Sequence, residues 1–134
     1  MRLATFVCVG VVSLLGPMAA LAHHAFATEF DVNSPVSLQG KVTKLELINP
    51  HSWITIEVVG DNGEATEWMF EGGSPNALVR RGITKTSVPI GAELVVTGYQ
   101  ARDGSNRAVG RDVTFADGRQ LFFGTAIGPR EAGE

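Results

Sequence analysis

The stretch SWITIEVVGDNGEATEWMFEGGSPNALVRRG, residues 52–82, decides the fold. Ile54, Ile56 and Val58 recur at every second position, and Trp68 and Phe70 do the same after a break. A period of two marks half-buried strands, here 52–59 and 65–71. The break is Asp61-Asn62-Gly63, and a three-residue loop with glycine in the left-handed region closes hairpins well. That loop sets a register: Ile56 opposite Trp68, Ile54 opposite Phe70, Trp53 opposite Glu71. A two-residue loop would put Glu67 against Ile56, which burial forbids. Beyond Glu71 the pattern changes. Ser74 is a helix N-cap, Pro75 suits the first helical position, and Gly82 stops the helix. Arg80 and Arg81 fall in the last turn, where the helix dipole favours cations. Ala77, Leu78 and Val79 are its expected buried side.

Upstream, 36–48 reads as a long first strand whose apolar parity switches. Val36, Leu38, Gly40 and Val42 point one way, then Leu45 and Leu47 the other. Such a switch predicts a bulge or bend near Thr43. Asn49-Pro50 ends the strand. Downstream, 83–91 is a loop, and strands are expected over 93–101, 107–115 and 120–123. Arg102-Asp103-Gly104-Ser105-Asn106 and Asp117-Gly118 make the turns between them. Three strands, a helix and two or three strands predict an all-β fold with one short helix. The architecture expected is a five-stranded, OB-fold-like Greek-key barrel, because the helix falls where that barrel is plugged. A small β-sandwich is the alternative.

The ends of the chain say where it works. Arg2, an uncharged apolar run from Leu3 to Gly16, Pro17 and then Ala20-Leu21-Ala22 follow the order of a secretory signal peptide. Cleavage after Ala22 is expected, with a periplasmic or secreted destination. The run is too short to span a bilayer, which takes roughly 20 apolar residues, so no membrane span is expected in the mature chain. The only cysteine, Cys8, lies in that run, leaving the mature chain without thiolate or disulfide. Residues 23–35 then form an N-terminal arm, 36–124 the barrel and 125–134 a loose tail. Beyond residue 22 the chain carries 10 basic and 14 acidic side chains. An acidic domain of this kind is a poor nucleic-acid binder, which needs a basic stripe.

Three histidines carry the chemistry: His23, His24 and His51. After cleavage at Ala22, the amine and imidazole of His23 chelate one metal ion from a single residue. His51 adds a third nitrogen, with His24 as an alternative. Three nitrogens in a T suit Cu(II), which favours square arrangements. By parity His51 and Trp53 face outward, and the register sets Trp53 against Glu71. An outward cluster of imidazole, indole and carboxylate is therefore expected at one end of the barrel, with Glu71 or Asp31 as outer ligand or hydrogen-bond partner. Glu57 and Glu67 oppose each other on a solvated face, where nothing desolvates an acid–base pair. No catalytic constellation is found, and a hairpin turn accounts for Arg102-Asp103-Gly104. The competing reading of the Trp53 face needs no metal: it docks a periplasmic protein partner or an envelope ligand, including an oligosaccharide stacked on the indole.

His23-His24-Ala25-Phe26, Glu29-Phe30-Asp31 and Asn49-Pro50-His51-Ser52-Trp53-Ile54 together resemble a family of small exported bacterial proteins of unknown function. Gly73-Ser74-Pro75-Asn76, Arg81-Gly82 and Arg102-Asp103-Gly104 extend the resemblance over nearly the whole mature chain. It implies a signal peptide and a His-His start, and no activity. Members often carry a histidine where this chain has Tyr99, which removes a fourth imidazole here.

Overall fold

The structure, a computed structural model, describes residues 27–125. Strands β2 (Trp53–Val59) and β3 (Ala65–Glu71) form the hairpin in the expected register, with Ile56 opposite Trp68, Ile54 opposite Phe70 and Trp53 opposite Glu71. Gly63 sits in the three-residue loop at φ 79°, a conformation open to glycine at little cost. Helix α1 (Pro75–Arg80) starts at Ser74, whose Oγ accepts the Ala77 N–H, and ends before Gly82 at φ 91°. Leu78 alone of its expected apolar side is fully buried, while Val79 is half exposed. Six residues make fewer than two turns, and consecutive positions cannot all face the core.

Strand β1 (Phe30–Glu46) is longer than expected. It begins six residues early and runs through Ser34-Pro35, taking in residues 30–35 of the expected N-terminal arm. Its first part pairs only with β4 (Glu93–Ala101), Phe30 meeting Ala101 and Pro35 meeting Tyr99, with an irregularity between them. A proline is tolerated at such a shift, where its missing N–H breaks no regular ladder. The bulge lies where the parity switch put it. Val42 pairs with Ile56 and Lys44 with Thr55, so Thr43 is the extra residue. Both Val42 and Leu45 are thereby buried.

Strands β4, β5 (Arg107–Phe115) and β6 (Gln120–Phe122) complete an all-β fold with one short helix besides residues 27–29, which are also helical. Neighbours pair in the order β3-β2-β1-β4-β5-β6. Every pairing is antiparallel except one: β3 also runs parallel to β5, Met69 meeting Arg107 and Glu71 meeting Val109. That pairing closes five strands into a ring. The core inside it gathers Val42, Ile54, Ile56, Phe70, Leu94, Val96 and Val113, with Leu78 from the helix. Phe123, just past β6, is wholly buried among them. The expected signal peptide, residues 23–26 of the expected arm and 126–134 of the expected tail lie outside the described residues.

Candidate functional site

His51 follows a cis Asn49–Pro50 peptide bond. Its successor, Ser52, is bound at both backbone groups: its N–H donates to Gly73 O at 3.0 Å, and its carbonyl accepts from Gly72 N–H at 2.8 Å. With Ser52 buried and Ile54 in the core, alternation puts His51 and Trp53 on the outer face of the ring. There His51 Nδ1 pairs with Glu71 Oε1. The His51 side chain is 48% exposed and that of Glu71 only 11%.

Within this outward cluster Glu71 is buried. The far side of β3 is covered by β5, placing Val109 beside Glu71. Val109 packs with Phe30, Ala101 and Tyr99 in a second apolar cluster outside the ring. Burial raises the Glu71 carboxyl above its ordinary range; the charge of His51 opposes this, and that of Glu29 adds to it. Tyr99 faces Val109 across β4 and β5. Trp53, Glu71, Val109 and Tyr99 thus form one row across four strands.

Arg107 and Glu29 join the site without any warning from the sequence. The Arg107 guanidinium lies 5.6 Å from the centre of the Trp53 ring and forms an ion pair with Glu29. Arg102 holds the same segment: its backbone N–H donates to Glu29 O at 2.9 Å, and its Nε to Ala27 O at 2.6 Å. Nothing local in the sequence announces these contacts, because they depend on the parallel β3–β5 pairing and on a segment more than 70 residues away.

Asp31 is not brought to His51. Its carboxylate accepts the Asn33 backbone N–H at 2.9 Å and the Ser34 hydroxyl at 3.3 Å. The Asn33 N–H, then the positive charge of Arg102, hold its carboxyl below the ordinary aspartate range. His23 and His24 lie outside the described residues. Among the described residues no three His, Cys, Asp or Glu side chains stand close enough together to hold a metal ion. Glu57 opposes Glu67 as expected, and both are exposed. Beside His51 is a shallow hollow walled by Ile48, Pro50, Trp53 and Met69, with Glu46 and Asn49 on its rim.

Fold and site together define a small all-β protein with a histidine–carboxylate pair on the outside of a closed strand ring. The chain belongs to the family of unknown function DUF6152, which matches residues 11–111. The matched span includes His51, Trp53, Glu71 and Arg107 and stops within β5. Comparison with curated proteins and with solved structures gives no significant match. No helix among the described residues is long and apolar enough to cross a membrane.

Proposed function

We propose that this is an exported periplasmic copper-binding module, built on an OB-type Greek-key barrel. The ring order β1-β2-β3-β5-β4, with a helix between β3 and β4, supports the barrel. The observation that carries the function is the His51–Glu71 pair. Imidazoles that bind metals commonly give their other ring nitrogen to a carboxylate, which fixes tautomer and orientation. With Nδ1 on Glu71, Nε2 of a half-exposed ring is left for the metal.

Cleavage after Ala22 makes His23 the N-terminal residue. Its amine and ring, with His51 Nε2, supply three nitrogens to Cu(II); His24 is the alternative ring. Freeing the amine of its proton costs about 1.4 kcal/mol at pH 7, small beside a chelate. From Ala27, which Arg102 holds, a fully extended chain carries His24 up to about 10 Å and His23 up to about 14 Å. Asp31, engaged with Asn33 and Ser34, is left out of the ligand set.

Copper(II) titration followed by electron paramagnetic resonance tests this on two proteins, one beginning at His23 and one with a single extra residue ahead of it. The first is expected to show a three-nitrogen signal that the second lacks, and His51→Ala to lose one nitrogen. Equal, weak binding by both removes the N-terminal chelate. The metal-free reading keeps one supporting observation, the apolar hollow beside Trp53. It fits a protein partner better than a sugar ring, since Arg107 already covers one face of the indole. Partner capture lost in Trp53→Ala would favour it.

A further inference from the structure

We propose that Glu29 decides which cation the Glu71 carboxylate keeps: by holding Arg107, it leaves Glu71 to His51. Two carboxylates and two cations meet on this outer face. Glu29 is paired with Arg107, and Glu71 with His51 Nδ1. Met69 is the register partner of Arg107 and Val109 that of Glu71, so Arg107 and Glu71 are diagonal neighbours on adjacent strands. Such neighbours lie about 7–8 Å apart, within the reach of a long side chain. Glu71 also feels both members of the other pair. Burial raises its carboxyl and the charge of His51 lowers it; after these, the charge of Glu29 raises it and that of Arg107 lowers it.

Released from Glu29, Arg107 has the stronger claim on Glu71. A guanidinium offers two parallel N–H donors to both oxygens of a carboxylate, where the imidazole offers one. Glu71 is also the better target. Its side chain is 11% exposed against 48% for Glu29, and a charge withdrawn from water attracts a counter-charge more strongly. Asp103, another carboxylate within reach of the Arg107 charge, is a weaker rival: it is exposed and already accepts the Ser105 N–H at 2.9 Å. Capture of Glu71 by Arg107 strips His51 of the partner that fixes its ring. Glu29 is therefore a positioning residue that acts through Arg107 and Glu71. Its own place depends on Arg102, whose N–H holds the Glu29 carbonyl and whose Nε holds that of Ala27. The seating of residues 27–29 thus controls whether His51 presents a fixed Nε2. What that nitrogen binds rests on the copper reading; the exchange of partners does not.

The test uses the metal-free chain beginning at His23 with isotope-labelled histidine, the His51 ring signals being those lost in His51→Ala. In the parent, the Nδ1 proton held on Glu71 is expected to be observed by nuclear magnetic resonance and to exchange slowly with water. In Glu29→Gln its exchange is expected to rise about tenfold, the loss that goes with one charge-assisted hydrogen bond. Arg107→Gln removes the rival cation, so there the Nδ1 proton stays near its parent rate. The decisive protein is the double variant: Glu29→Gln together with Arg107→Gln is expected to restore the parent rate. An unchanged rate in Glu29→Gln overturns the proposal. So does a rate raised equally in Arg107→Gln and in the double variant, which would make the Glu29–Arg107 pair a brace of the outer face only. With no metal in the samples, failure here leaves the chelate to the copper titration, and failure of that titration leaves the exchange of partners standing.

Discussion

Gly72→Ala tests how Phe123 is seated in the ring. A Cβ at residue 72 would stand 2.5, 2.6 and 2.8 Å from Cζ, Cε1 and Cε2 of Phe123, closer than carbon atoms approach. The ring is wholly buried and has no free direction, so the clash shifts backbone or forces a poor rotamer, at about 1–3 kcal/mol. Phe123→Ala alone costs about 3–5 kcal/mol, through lost burial and the cavity left behind. In the double variant the clash is gone. There Gly72→Ala is neutral, or stabilising by about 0.4–1 kcal/mol because alanine restricts the unfolded chain. The two effects should therefore be coupled by about 2 kcal/mol rather than add. Urea unfolding of the four proteins measures this: with a slope near 1–2 kcal/mol per molar, Gly72→Ala alone lowers the midpoint by about 1 M. Phe123→Leu serves if Phe123→Ala does not fold. An equal midpoint shift in both backgrounds would falsify this account of Gly72. The site should feel the same perturbation. Gly73 N–H donates to Phe123 O at 2.9 Å, and Gly73 O accepts from Ser52, the neighbour of His51. The His51 ring resonances are expected to move in Gly72→Ala.

Gly98→Ala should be harsher, costing more than about 3 kcal/mol, because its Cβ would lie 2.0 Å from the Val109 carbonyl oxygen, where only backbone can yield; a thermal melt near that of the parent would contradict it. Asp31 gives a pH signature. Its carboxyl is held low in the folded chain, first by the Asn33 N–H, so the ionised form favours folding. That stability is present above the unfolded pKa, near 4, and is lost as pH falls through the lower folded value. The melting-temperature gap between the parent and Asp31→Asn is expected to narrow below about pH 4, and a gap constant from pH 6 to pH 2 refutes it. Glu29→Gln should cost less than about 1 kcal/mol, since its pair with Arg107 is half exposed, yet should loosen residues 27–29 in hydrogen exchange.

Local chemistry was legible wherever it acts over a few residues. The turn at Gly63, the cap at Ser74, the stop at Gly82 and the bulge at Thr43 all stand where alternation and turn residues put them. The pairing of Trp53 with Glu71 followed from loop length alone, and with it half of the site. Val79 misled because a short helix shows the core a single position. The start of β1 was placed six residues late because its first part pairs only with the distant β4, which no local pattern announces.

The sequence by itself determined the strands, the hairpin register and the outward face of His51 and Trp53, since side-chain period and turn geometry are properties of adjacent residues. Tertiary structure alone decided that β3 lies parallel to β5, that Glu71 is buried, and that Arg107 bridges Glu29 to Trp53. It also decided that Phe123 fills the space beside Gly72 and Gly110. Each of these joins residues far apart along the chain, and which distant strand becomes a neighbour is settled only when the whole apolar surface is buried at once. The outward carboxylate of the sequence is thereby a buried one, and the imidazole beside it is held rather than free.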